Sequence, residues 1–245
     1  MTTIALYNIK GGVGKTAGCV NLAYLAAEDG KKTLIWDLDP QGAASYYFEQ
    51  EHKLRGGFKK LVAGETRMEQ VIEETGFEGL YILPADLGNK DMEVIVDEAK
   101  QVKKRFKSLL GQLEGLYDYL FIDCPPGMGP LAETIFAASD YVVVPTIPTT
   151  LSMRTFDMLR QHFEDKNLDN SRLFAYFSMV DARKNLHNET VDGEQRNKQF
   201  LKSYIPYLST VEKMGVRMAP VAWFAPSSYA SQCFRDLWKE LKRKM

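Results

Sequence analysis

The sequence predicts an α/β fold: a mostly parallel, twisted sheet covered by helices on both faces. Three observations predict it. Short β-rich runs alternate with helical stretches along the chain. The runs are apolar on consecutive residues, as strands buried on both faces require. And 245 residues with a 45% hydrophobic fraction are enough to enclose one large core. No linker, repeat or low-complexity tract divides the chain, so 1–245 is read as a single domain.

In order, the strand-like runs are TIALYNI (3–9), KTLIWDL (32–38), LYILPA (80–85), YDYLFIDC (117–124), YVVVPTI (141–147), RLFAYFSMV (172–180) and YIPYLS (204–209). Helical patterns lie between them at 15–29, 90–114, 130–138, 152–165, 187–202 and 228–244. In such sheets ligands bind beyond the carboxyl ends of the strands, so the polar residues just after each strand carry the information.

Bulk properties narrow the partners. The net charge is -1, so any binding to nucleic acid or membrane must use a local patch. The three cysteines (Cys19, Cys124, Cys233) are far apart and odd in number, with neither disulfide-framework nor metal-ligand spacing. No apolar run approaches the ~18 residues of a membrane span, and TIALYNI begins a strand at once, without a leader pattern. A reducing cytoplasm is the expected compartment.

Three strand ends point to one chemistry. The first runs into KGGVGKT and then a helix. Gly11, Gly12 and Gly14 let backbone N–H groups close around phosphate oxygens, and the helix N-terminus favours the same anion. Lys15 would reach the β/γ-phosphates and the Thr16 hydroxyl a Mg²⁺ ion. The usual pattern G-x-x-x-x-G-K-[ST] would put glycine at position 9, where this chain has Ile9. The second strand ends in WDLDPQG, which places Asp37 and Asp39 close to where a nucleotide would lie and, because alternate strand residues point the same way, on one face. These carboxylates either hold a metal-bound water and the attacking water or belong to a solvated turn, since DPQG is good turn chemistry. The strand YDYLFIDCPPG ends in Asp123, a carboxylate that is costly at a buried strand tip unless a cation compensates it. Together the three describe a P-loop nucleotide hydrolase.

These motifs, KGGVGKT (10–16), DLDPQG (37–42) and FIDCPPG (121–127), resemble the ParA/MinD group of deviant Walker A ATPases. VVVP (142–145), MVDARKNLH (179–187) and IPYLSTVEKMG (205–215) extend the resemblance over nearly the whole chain and look ParA-like. The resemblance implies that ATP and Mg²⁺ bind at Lys10, Gly11, Gly12, Val13, Gly14, Lys15, Thr16 and Ala17, with Pro206 bordering the adenine. Lys10 would be the signature lysine, contacting the nucleotide of a second subunit in an ATP-bound sandwich dimer. Lys15 would serve its own subunit, and Asp39 would position water. Asp37 would support the magnesium site with Thr16, and Asp123 would be the strand-end acid. Ser178 stands where the family often has Asn or Thr.

The resemblance also implies non-specific DNA binding by the dimer. The basic candidates are Arg183, Lys184, Lys198, Lys202, Lys213 and Arg217, with Lys242, Arg243 and Lys244 at the end of the chain. Acidic residues interleave with them, so an ordinary solvated surface is the competing reading. Slow ATP hydrolysis, stimulated by a ParB-like or cargo-adaptor protein, would position a plasmid, chromosome or protein assembly over the nucleoid. Alternatives are a MinD-like membrane-associated ATPase, using the final helix as anchor, and a P-loop biosynthetic ligase. For the final helix, Phe234, Leu237, Trp238 and Leu241 at helical spacing are read as core, and membrane binding is not expected. The run KQVKKRFK (100–107) is read as the solvated face of a helix.

Overall fold

A computed structural model describes residues 1–49, 60, 61, 63–86 and 102–245. The sheet consists of β1 (Thr2–Leu6), β2 (Thr33–Asp37), β3 (Glu73–Glu74), β4 (Leu80–Leu83), β5 (Tyr119–Asp123), β6 (Tyr141–Thr146), β7 (Leu173–Val180) and β8 (Ile205–Pro206). Its order is β3-β4-β2-β5-β1-β6-β7-β8. Among the described residues every strand pairing is parallel except that of β3 with β4.

The helices are α1 (Lys15–Glu28), α2 (Ala43–Tyr47), α3 (Val102–Gly111), α4 (Pro130–Ala138), α5 (Thr150–Asp165), α6 (Asn185–Gly193), α7 (Ser209–Glu212), α8 (Met214–Arg217), α9 (Val221–Phe224) and α10 (Tyr229–Lys244). The sequence-predicted helix at 90–114 is observed as α3; its part before 102 lies outside the described residues.

Alternation along the strands feeds two cores. Ala5 and Tyr7 join a cluster with Trp36, Phe106, Phe136, Phe156 and Phe163 on one face. Ile4 and Leu6 join Leu22, Leu25, Phe234, Leu237, Trp238 and Leu241 on the other. Trp36 stacks on Phe106 at 4.9 Å between ring centroids and 9° between planes, which seats α3 against β2.

The apolar stripe of α10 is consumed in this way. Trp238 also donates from Nε1 to Asp29 Oδ2 at 2.8 Å, and Arg235 and Lys242 pair with Glu28 and Asp29 at the end of α1. The helix closes the domain as core. No helix among the described residues is long and apolar enough to cross a membrane.

Two predicted elements are corrected. The strand read at 204–209 is only Ile205–Pro206, and Ser209 already begins α7. The stretch 187–202 is not one helix: α6 ends at Gly193, a 3₁₀ turn follows over Glu194–Arg196, and the chain then runs beside β7. There Ala175 N–H donates to Gln199 O at 2.8 Å and Leu201 N–H to Ala175 O at 2.7 Å. Phe200 is buried against Phe177, with centroids 4.8 Å apart, so apolar burial beside the sheet outweighs continuation of the helix.

Candidate active site

β1 is central, with β5 on one side and β6 on the other, and the chain leaves it toward both edges. This is the crevice-forming position of an open α/β sheet. In register, Leu6 lies opposite Asp123 and Asp37 opposite Asp123, so the ends of β1, β2 and β5 meet at one place. All three sequence motifs converge there.

The loop between β1 and α1 is braced from several sides. Asn8, buried, donates from Nδ2 to Pro145 O at 2.8 Å and accepts Lys10 N–H on Oδ1 at 2.9 Å. Ser178 Oγ donates to Val13 O at 2.7 Å. Gly12 and Gly14 adopt φ of +71° and +93°, the left-handed region that favours glycine. Gly18 sits one turn into α1 where a Cβ would collide with the Tyr176 hydroxyl, so the helix start can pack against β7 only without a side chain. Lys15 is buried, and its Nζ donates to Lys10 O at 3.1 Å, over the mouth of its own loop. The Lys10 ammonium has no ion-pair partner among the described residues.

The two carboxylates after β2 part company. Asp37, expected beside the metal and on the same face as Asp39, is fully buried and bonded within the protein. Its Oδ2 accepts the Ser45 N–H and O–H, both at 2.8 Å, and Oδ1 accepts Asp39 N–H at 3.2 Å. The strand ends at Asp37, so strict alternation stops there and Asp39 turns separately. Burial pushes the Asp37 carboxyl up to about 6, against the pull of its Ser45 hydrogen bonds. Asp37 therefore holds the Asp39 turn and the start of α2. Asp39 forms the DPQG turn, accepting Gln41 N–H on Oδ1 at 2.9 Å and Gly42 N–H on its carbonyl at 2.9 Å, and it lines the open cleft.

Asp123 is different again. It is fully buried, and among the described residues neither oxygen has a hydrogen-bond partner that meets the geometry. Burial first, then the Asp37 charge, push its carboxyl well above the usual range; the nearby Thr16 hydroxyl and Lys15 ammonium pull the other way. An orphaned carboxyl beside a threonine hydroxyl suits a hydrated divalent cation, which would supply the missing partners. The following loop is tied to β1: Tyr7 Oη donates to Gly127 O at 2.7 Å and Gly127 N–H to Ile9 O at 3.0 Å.

The cleft has a volume of about 540 Å³ and is lined by Gly11, Gly12, Lys15, Thr16, Asp39 and Tyr47, among others. It shares lining residues with an apolar pocket that includes Tyr176, Ser178, Pro206 and Phe234.

An AAA-domain family model (AAA_31) matches residues 1–173. The chain is 30% identical over 239 residues to the chromosome-partitioning ATPase Soj of Treponema pallidum, covering 94% of this chain and 91% of that one. It is 29% identical over 247 residues to the sporulation initiation inhibitor protein Soj of Bacillus subtilis, covering 97% of each. The chain belongs to the ParA/MinD family of ATPases. Its fold superposes with a TM-score of 0.87 on a Borrelia burgdorferi plasmid partition protein bound to AMPPNP, at 19% identity over 100% of this chain and 99% of that one.

Within this ParA/MinD-family fold the basic candidates fall into two neighbourhoods, and all six are exposed. Arg183, Lys184, Lys213 and Arg217 lie beyond the carboxyl ends of β7 and β8. Lys198 and Lys202, expected on one helix, sit instead on the extended stretch beside β7. There Lys202 N–H donates to Glu240 Oε1 at 2.8 Å and Lys244 Nζ to Lys198 O at 3.4 Å. Arg183 is held by Asp181 through two hydrogen bonds of 2.9 Å, which keeps the Asp181 carboxyl down at about 2.

The loop carrying Arg183 and Lys184 is pinned by a residue the motifs did not single out. Buried His187 accepts Asp181 N–H on Nδ1 at 3.1 Å. Burial, reinforced by Lys184, lowers its pKa below the usual value. Its neutral form is therefore the folded form. The pinning is complete above about pH 6.5 and is lost as pH falls through the lowered folded value. The expected result is that the hydrogen-exchange protection of the Asp181 amide, at full strength at pH 7.5, falls on acidification and is already lost at pH 7.5 in His187→Ala. Protection of that amide unchanged in His187→Ala would remove His187 as the pin.

Proposed function

We propose that this ATPase closes into an ATP-dependent sandwich dimer, binds duplex DNA without sequence preference and positions a cargo by cycles of binding and release. The observation that carries the reading is the division between its two loop lysines. Lys15 is buried and turned onto its own loop, whereas Lys10, five residues earlier, is partly exposed and has no ion-pair partner among the described residues. Lys15 holds the β/γ-phosphates of its own subunit. Lys10 reaches the phosphates of the second subunit, so nucleotide-borne charge is neutralised fully only when two copies meet.

Within each subunit the loop N–H groups of Gly11 to Thr16 cradle the phosphate oxygens, and the dipole of α1 adds to the field. Thr16 and Asp123 would hold a magnesium ion, which when bound screens the charge of the terminal phosphates. Asp39, fixed by its turn, orients a water toward the γ-phosphorus. The water oxygen forms the new P–O bond as the bond to ADP breaks, and the water's proton leaves through Asp39 or the phosphate product. Ser45 and Asp37 keep Asp39 in place.

Dimerisation would double the basic surface, and phosphate contacts from Lys184, Lys198, Lys202, Lys213 and Arg217 would then be strengthened together. Arg183 would exchange Asp181 for a DNA phosphate. A ParB-like or cargo-adaptor protein would stimulate hydrolysis and end the DNA-bound state, making the protein cytoplasmic and nucleoid-associated in turn.

The test is Lys10→Ala. We expect it to bind ATP within a few-fold of wild type and to remain monomeric with ATP–Mg²⁺ in light scattering, under conditions where the wild type dimerises. A Lys10→Ala dimer as stable as the wild-type one would remove the trans role.

A further inference from the structure

We infer that Glu212 reads the nucleotide sugar and makes the site prefer ribonucleotides over their 2′- or 3′-deoxy counterparts. This rests on the proposed reading that phosphates occupy the loop cleft and the base lies near Pro206.

The phosphate cleft and the apolar pocket are distinct spaces with one seam. They share five lining residues: Gly14, Ala17, Met179, Val211 and Glu212. In a nucleotide the sugar is the unit between phosphate and base, so it lies at that seam. Of the five, only Glu212 has a polar side chain. A carboxylate only accepts hydrogen bonds, and the sugar's vicinal hydroxyls are donors, so the two match.

Glu212 is also held in place. Tyr207 Oη donates to Glu212 Oε1 at 2.7 Å, which leaves Oε2 with no hydrogen-bond partner among the described residues. Other groups near the seam are engaged elsewhere: Ser178 Oγ with Val13 O, and Tyr207 N–H with Val180 O at 2.9 Å. The backbone is shaped for this junction as well. Met179 is left-handed, with φ of +54°, where the β7–β8 register shifts. Such a conformation in a residue with a side chain is unusual and concentrates at ligand sites.

Glu212 is exposed, so water competes and the effect is modest: about tenfold in affinity, the lower end for a hydrogen bond to a charged group. The experiment is calorimetric titration of the full chain with Mg²⁺ and ATP, 2′-deoxy-ATP or 3′-deoxy-ATP, on wild type, Glu212→Ala, Glu212→Gln and Tyr207→Phe. The expected wild type binds ATP about tenfold more tightly than the weaker deoxy analogue. Glu212→Ala should bind all three alike, at the level of that analogue. Glu212→Gln should keep part of the preference through its amide oxygen, and Tyr207→Phe should narrow it. A wild type that binds ATP and both analogues equally, or a Glu212→Ala variant that keeps the wild-type preference, overturns the inference while leaving the nucleotide site standing. Failure of the wild type to bind any of the three overturns both.

Discussion

Lys15→Ala is expected to weaken ATP binding about a hundredfold or more while leaving the fold intact. The side chain is buried, and its ammonium is already held at the loop mouth by Lys10 O, 3.1 Å away. A preorganised cation there would make charge-assisted hydrogen bonds to two phosphate groups, each worth about 1.5–3 kcal/mol, and every 1.4 kcal/mol is tenfold. The fold should survive because the hydrogen bond lost is to the carbonyl of Lys10, a partly exposed residue that water can reach, and Asp123 can stay protonated without the Lys15 charge. Titration with ATP and a thermal melt of the same sample check both halves. An affinity within threefold of wild type would show that the loop backbone alone holds the triphosphate.

Asp39→Ala is expected to lower hydrolysis about a hundredfold or more, the range for loss of a positioned acid–base group, with ATP affinity little changed. The turn itself should persist, because Gly42 N–H bonds to the Asp39 carbonyl and Asp39 N–H to Asp37 Oδ1. The variant should therefore accumulate in the ATP-bound dimer. Single-turnover phosphate release separates chemistry from binding. Wild-type hydrolysis in Asp39→Ala would remove the carboxylate from the water-positioning role, and equal losses of rate and affinity would make it a structural residue instead.

The chemistry of this chain is legible in its sequence where it depends on local pattern. The glycine–lysine loop, the DPQG turn and Asp123 at the tip of an apolar strand are each written within a few consecutive residues. Strands β1, β2, β4, β5, β6 and β7 announce themselves as apolar runs for the same reason. What brackets the site was not legible, because it is long-range: Asn8 to Pro145, Tyr7 to Gly127 and Ser178 to Val13 join residues more than a hundred positions apart. The only signal for Asn8 was a polar side chain at the end of a buried strand.

Short elements escaped for a different reason. β3 consists of Glu73 and Glu74, an edge pair with no apolar signature. α2 follows directly on a turn motif and is only five residues long. The stretch 197–202 reads as helix by composition, but its pairing with β7 and the burial of Phe200 decide otherwise. The same tertiary context separates Asp37 from Asp39. Both carboxylates looked equally available in sequence, and only packing against Ser45 shows that one braces the other.

The central claim is that ATP, by closing two copies together, creates a DNA-binding surface. The most direct test is equilibrium binding of the purified chain to random-sequence duplex DNA with ATP–Mg²⁺, with ADP–Mg²⁺ and without nucleotide, across a salt series. The account predicts binding only with ATP, weakening steeply as salt rises because several phosphate contacts form at once. Binding that is the same in all three nucleotide states, or absent in all of them at low salt, would contradict it.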